Sequence, residues 1–500
     1  MDRREFLKRL FVGGSGVLLS RAWADKNLPF LTGSRLLPPP IVNAFSSEIV
    51  ANSRLSYHDG YGGQLSDQIL SNVLWAIARV PLIGSSRIIY VALPDSVYQY
   101  DAEHHEIAVH QAGNHMSEPN LAFEVGVAAD LIEDSGTALH YGHLAATSFW
   151  TSTNNQPVCC PKESAMFNAN NSWNPALPVH NVNCYGNLET VNGITDELVA
   201  ISSNGSLPDP STDGTILLEN ALANLNYGEQ FLNTELMLDE ISQLAWASYG
   251  CNPHYVYNGN AGLTVASAGA HYYLTGRIYA VLSDSVQRYH NRLPSGDFIT
   301  RDHRIELVTA GDRRQLLRTA IARIPQTAPN YFVYCASSTD RRQLIEAGYC
   351  GAGALLQVSS MDLQGHLTAD FSSAERSAII DALSIPSNHL PLVIFSAGHT
   401  DVGIREKSKS NLTVLGATPN PFRYNTRIRY GLSTSAHVTL AIYDSVGRYV
   451  TTLLDKNLQR GHFVVDWDGT NREGDQVPSG IYYSVLRYGS SEHRLKMIRR

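Results

Sequence analysis

Leu70-Ser71-Asn72-Val73-Leu74-Trp75-Ala76 and Ile241-Ser242-Gln243-Leu244-Ala245-Trp246-Ala247 are two versions of one segment, with their tryptophans 171 residues apart. Apolar residues at 70, 73, 74 and 77 follow helical spacing, so the segment predicts an amphipathic helix. Asp67 and Asp239 stand near its start, where a carboxylate favours the helix dipole. Ile88 to Leu93 matches Arg277 to Leu282, both β-branched and aromatic and therefore strands. Each then runs through Asp-Ser-Val to a tyrosine, Tyr100 or Tyr289. His105 to Val109 pairs with His303 to Leu307, again as strands, closed by Gly113 or Gly311. Pro119 to Phe123 pairs with Pro329 to Val333. Four blocks in one order define an internal repeat.

The order helix, strand, strand, strand, then a long small-residue helix near Glu346 to Met361, predicts an α+β module of about 170 residues, enough for one core. Residues 152–212 are rich in Asn, Pro, Ser and Gly and read as irregular decoration and linker, with a boundary at Leu207 to Gly214. Lys407 to Asn411 reads as a second linker. From about 412 the chain reads as all β. Val438, Leu440 and Ile442 alternate with polar neighbours, as do Phe463, Val465 and Trp467, and Ile481, Tyr483 and Val485. Short spacings between Gly and Asp turns suggest a small sandwich.

The 43% apolar and 17% charged composition suits globular cores, and 500 residues suit about three domains. A net charge of -8, with no basic tract beyond the amino terminus, argues against a nucleic-acid partner. Arg3-Arg4-Glu5-Phe6-Leu7-Lys8, the short apolar run from Leu10 to Leu19 and the small residues of Ala22-Trp23-Ala24 read together as a twin-arginine signal over residues 1–24. Its apolar run is too short to span a bilayer, so no transmembrane segment is expected in the mature chain. The chain is expected to meet an export machinery and to end in the periplasm, at the outer-membrane surface or secreted. That route carries folded proteins and suits one that binds a cofactor. Six cysteines form no C-x-x-C pair and read mostly as buried thiols. His140 and His143 share a helical face without an evident third ligand, so no metal site is expected. His104 and His105 read as exposed turn residues, and Gly351 and Gly353 as contacts for close helix packing.

The helix at 235–250, the loop Thr264-Val265-Ala266-Ser267-Ala268-Gly269-Ala270, the strand at 277–282 and the Glu346-Ala347-Gly348 helix together resemble the nitroreductase superfamily, in particular its SagB-type dehydrogenases. The resemblance covers roughly residues 40 to 400. It implies an FMN-binding α+β fold and a dimer with flavin at the interface, here supplied within one chain as a pseudo-dimer of tandem modules at 40–206 and 215–406. The second copy carries 18 more residues between helix and strand, and these contain Ser267-Ala268-Gly269-Ala270. The family's R-x-S-x-R phosphate clamp corresponds to Arg54-Leu55-Ser56-Tyr57-His58 in copy one and to Leu225-Asn226-Tyr227-Gly228-Glu229 in copy two, where both cations are lost. These complementary defects imply one composite FMN site of Arg54, Ser56 and His58 with Ser267, Ala268 and Gly269, and a dead mirror site. No acid or base stands out as catalytic. Tyr272 or Tyr273 could line the pocket. The activity implied is an FMN-dependent oxidoreductase of unidentified substrate. The alternative is a cofactor-free envelope binding or structural protein on a degenerate scaffold. The tail, 412–500, resembles FlgD-like immunoglobulin and type IX sorting modules in Pro419-Asn420-Pro421-Phe422, Ile442 to Arg448, Trp467-Asp468-Gly469 and Ser479 to Tyr482.

Overall fold

The computed structural model describes residues 34–56, 61–62, 64–150, 157–188, 207–255, 260–292, 301–361, 363–400, 412–418, 422–432, 435–444, 447–459, 461–488 and 491–500. The expected signal at 1–24, the linker at 407–411 and His58 lie outside them. The chain divides into two compact units, one holding residues up to 41, 50–210 and 219–400, the other 42–49, 211–218 and 401–500.

The first unit contains both copies of the repeat. Copy one builds a sheet from β1 (Ser34–Leu36), β2 (Tyr61–Gly62), β3 (Arg87–Ala92), β4 (Ser96–Asp101), β5 (Glu106–Ala112), β6 (Phe123–Ala129), β7 (Pro157–Pro161) and β8 (Val179–Leu188). Its order is β1-β5-β4-β3-β6-β8-β2, with β7 on β8. Copy two adds a hairpin of β9 (Cys251–Tyr255) and β10 (Ala261–Leu263). It then forms a sheet from β11 (Ile278–Val281), β12 (Ser285–Arg292), β13 (Arg301–Ala310), β14 (Asn330–Ala336), β15 (Gln364–Thr368) and β16 (Leu390–Gly398). Its order is β13-β12-β11-β14-β16-β15. Five strands therefore follow one path in both sheets. The register shifts after Val97 and after Val286, the same repeat position. The helices that matter most are α1 (Asp67–Arg79), α2 (Ile132–Trp150), α3 (Glu163–Ser172), α4 (Leu238–Tyr249) and α5 (Arg341–Ser360).

The repeat extends to side chains. Ser71 Oγ donates to the Pro38 carbonyl and lies 2.8 Å from His105 Nε2, while Tyr100 OH donates to His105 Nδ1 at 2.7 Å. Ser242, Pro208, His303 and Tyr289 repeat this cluster, with 2.7 Å between Ser242 Oγ and His303 Nε2 and 3.0 Å from Tyr289 OH to His303 Nδ1. Burial lowers both imidazoles, His303 to about 4, and each ring is held neutral by one accepted and one donated proton.

Four expectations need correction. Between its two long helices each copy places four strands in its main sheet, copy two adding the β9–β10 hairpin, because the Asp-Ser-Val turn opens another strand before its tyrosine. In copy one the last of them begins at Phe123, later than Pro119. The stretch 152–212 holds α3 and the interior strand β8. Its asparagines disguise a core strand, since the Asn181 amide donates to Tyr349 OH at 2.5 Å and Asn183 to the Leu139 carbonyl at 3.0 Å. His105 is buried in its cluster, and only His104 is exposed.

The two modules meet along α2 and α5, which approach at glycine. A Cβ on Gly136 would strike the Ile345 carbonyl, and one on Gly348 the Glu133 carbonyl. Thr137 Oγ1 donates to the Gly348 carbonyl and Tyr141 OH to the Ala352 carbonyl, both at 3.2 Å. Gly353 faces the Ala247 carbonyl of α4, as a close-packing role requires. His140 is buried in α2 with its ring 5.9 Å from that of Tyr349. Among the described residues no group of three or more His, Cys, Asp or Glu could hold a metal ion. Cys251, Cys335 and Cys350 are buried free thiols.

Glu133, 2% exposed, opens α2. Burial, with help from Asp370 and Asp134 and against Arg376, pushes its carboxyl up to about 7. The folded state therefore holds a proton that the unfolded state releases near its ordinary value of 4.5. Stability is full below that value and declines as pH rises to about 7, then stays level. Glu133→Gln should leave stability near wild type at pH 5 and raise it at pH 8, on the order of 3 kcal/mol for a shift of this size. Urea midpoints at both pH values check this, and an equal effect at the two would contradict it.

The second unit carries a seven-strand sandwich. One sheet is β17-β18-β21, from Leu412–Thr418, Thr426–Leu432 and Gly461–Trp467. The other is β20-β19-β22-β23, from Tyr449–Leu458, Ala436–Asp444, Gly480–Tyr488 and Ser491–Arg499. Val438, Leu440, Ile442, Trp467 and Met497 fill its core. The phase expected for β22 is reversed. Tyr482 and Leu486 point inward and Ile481 is 38% exposed, because the Tyr482 ring packs edge-on against Trp467 at 5.3 Å while its OH reaches the Pro478 carbonyl. No described helix is long and apolar enough to cross a membrane.

Candidate functional site

Arg54 follows the helix Ser47–Ser53 and is 3% exposed. Its Nε donates to the Leu263 carbonyl at 3.0 Å and its Nη1 to Ser56 Oγ at 3.1 Å. Its own carbonyl accepts the Asn252 amide at 2.7 Å, and that amide also reaches the Leu263 carbonyl at 3.1 Å. The clamp segment of copy one is thus sewn to the β9–β10 hairpin of copy two, the insert that copy one lacks. His143 stands beside it, donating from Nε2 to the Leu55 carbonyl at 2.9 Å. Burial and then the Arg54 charge press this imidazole down to about 3, so it is neutral.

Four residues beyond Leu263, Ser267 starts the small-residue loop. Ala268–Ala270 forms one turn of 3-10 helix, with Gly269 at φ 71° and Ala270 at φ 55°. Tyr272 follows at φ 53°. Left-handed backbone at Ala270 and Tyr272 costs about 1–2 kcal/mol per residue, and such strain persists only where neighbours fix it. Glu346 of α5 does so. Its carboxylate is fully buried, accepts Ser267 Oγ at 2.6 Å and Tyr249 OH at 2.5 Å, and takes the Leu274 amide at 3.3 Å. Ser267 Oγ in turn accepts the Tyr272 amide at 2.7 Å. The Ser267 hydroxyl, expected to face a ligand, is committed to shaping the loop. Arg292, 1% exposed, stacks on the Tyr272 ring at 4.1 Å and donates to the Ala261 carbonyl. Tyr272 is therefore packed inward, and Gly269 is the exposed crest of the loop.

Sequence reading missed Asn252, Arg292 and Tyr249, and took His143 only as one of a histidine pair without a third ligand. Glu346 carried a signal, as an acid amid the small and apolar residues of a helix that periodicity alone would bury.

The segments that would make up the opposite pairing are each bonded within the fold. In copy two, Asn226 donates to the Ser359 hydroxyl and the Leu363 carbonyl, Gly228 pairs with Gly365, and Tyr227 stacks on His366 at 4.9 Å. Glu229 lies 3.4 Å from His366. In copy one, the turn that replaces the loop has its amides taken by carboxylates, Ile83 by Asp134 and Ser85 and Ser86 by Asp130. Arg87 locks Asp134 through two nitrogens.

Residues 424–492 match the FlgD Ig-like domain family. No curated protein sequence matches the chain. Among solved structures, the chain is similar to a protein described as a nitroreductase from Anabaena variabilis, at TM-score 0.49 and 13% identity, covering 75% of this chain and 94% of that one. A second, described as a nitroreductase from Ralstonia eutropha, shares 21% identity at TM-score 0.32 and covers 41% and 94%. An FMN-dependent nitroreductase from Clostridium difficile shares 13% identity at TM-score 0.24 and covers 35% and 84%. These likenesses concern the course of the chain, and the tandem α+β assignment rests on the strand order above.

Proposed function

We propose that this chain is an exported oxidoreductase of nitroreductase type holding one FMN in a composite site. Arg54, Ser56 and His58 supply the phosphate side and Ser267, Ala268 and Gly269 the loop side. The observation that carries this reading is the hydrogen bond from Arg54 Nε to the Leu263 carbonyl, which ties the clamp segment of copy one to the hairpin of copy two, four residues before Ser267. The donor set suits an anion, with a buried guanidinium beside a serine hydroxyl. The Gly269 crest lacks the side chain that would keep a flat ring away. Bound there, FMN would supply hydride or electron transfer. Arg54 and Ser56 would hold the phosphate, Glu346 and Arg292 would keep the loop in shape, and the buried seam would limit water.

Carriage across the membrane by the twin-arginine segment, and delivery by the tail to the periplasm, the outer-membrane surface or the medium, belong to the same proposal. The FlgD Ig-like match supports the reading of the tail as an immunoglobulin-like module. The test is optical. Full-length protein purified and then supplied with FMN should show bound-flavin bands after desalting. Colourless protein that takes up no FMN would refute the site and leave a cofactor-free envelope protein.

A further inference from the structure

We infer that module one carries a second ligand site, an open cleft for a neutral, polyhydroxylated ligand of the sugar class. The cleft holds about 670 Å³, within the roughly 300–1,000 Å³ of small-molecule sites. Its ten lining residues share none with the seam. They include Gln111, His115, Asn171, Asn174, Pro175 and Leu177, and none is Lys, Arg, Asp or Glu. An ion entering it would shed hydration for no counter-charge. Amides instead offer a donor and an acceptor side by side, which suits a row of hydroxyls, and Pro175 and Leu177 offer apolar surface to C–H faces.

The walls are built in advance. His115 closes one wall, and its carbonyl accepts both Trp173 Nε1 at 2.9 Å and the Asn168 amide at 2.7 Å from the other. His110 Nε2 donates to the Asn174 carbonyl at 3.0 Å, and the Ala176 amide donates to Tyr90 OH at 3.2 Å. Asn170 exchanges two hydrogen bonds with the Val179 backbone. Asn174 takes a left-handed backbone at φ 49°, as does Gly113 at φ 102°. Preorganised walls lower the ordering cost of binding. Gln111 Oε1 is buried in this lining with no hydrogen-bond partner among the described residues.

The experiment is calorimetric titration of the full chain with maltotriose, cellotriose and triacetylchitotriose, each alone. At least one should bind. Gln111→Leu and Asn174→Gly should each weaken it about tenfold, the effect of one lost hydrogen bond. Asn174→Gly keeps the left-handed backbone, and Gln111→Leu removes an unpartnered acceptor, so both should melt no lower than wild type. Failure of all three sugars to bind, or equal binding by both variants, would overturn the site. So would binding of a neutral tripeptide in their place.

Discussion

Gly348→Ala is expected to destabilise the chain by about 1–3 kcal/mol, although alanine in place of glycine inside a helix ordinarily stabilises by about 1 kcal/mol. The sign follows from the seam. The added Cβ would meet the Glu133 carbonyl, and also lie 3.0 Å from the Thr137 amide, so backbone would have to move. Moving α5 away from α2 stretches the bonds from Thr137 and Tyr141 into the α5 carbonyls. Gly351→Ala is the control. Its Cβ would meet only the end of the Leu367 side chain, which can turn aside, and its cost should be smaller. Urea midpoints of the two variants decide. Equal effects, or stabilisation by Gly348→Ala, would show that the helices are not in close contact there.

Arg54→Met should have the second large effect, and on two properties. Methionine fills similar apolar space but abandons the Leu263 carbonyl and Ser56. The loss of buried hydrogen bonds from a charged group should lower stability by about 2–3 kcal/mol. His143 feels the Arg54 charge, so its imidazole should become easier to protonate once that charge is gone. Under the proposed function FMN retention should fall at least about a hundredfold, since a charge-assisted phosphate contact is lost along with the geometry that supports it. Flavin retained at wild-type affinity would place the phosphate elsewhere.

The repeat was legible because helix α1 and helix α4 keep the same apolar spacing, and because tyrosine and Asp-Ser-Val mark the same turn twice. Strand β8 was not, because its asparagines find buried partners only in the folded chain, on Tyr349 and Leu139, far away in sequence. The phase of β22 was missed for a similar reason. Tyr482 and Ile481 are both apolar, and only packing on Trp467 selects the tyrosine for the inside. In the candidate site, Arg54 and the Ser267 loop were found by pattern. Asn252 and Arg292 were not, since each acts through backbone atoms or a stacked ring, and such contacts leave no spacing in the sequence. The carboxylate under the loop, Glu346, does more for its shape than the glycine that drew the eye.

The inequality of the two halves is tested most directly by titrating FMN into the purified full-length chain and counting bound flavin. One FMN per chain is the expected result, with saturation abolished by Arg54→Met. Two per chain would mean that the stretch around Tyr227 and the turn at Ser85 form a working mirror site, and none would mean that the seam is no flavin site at all.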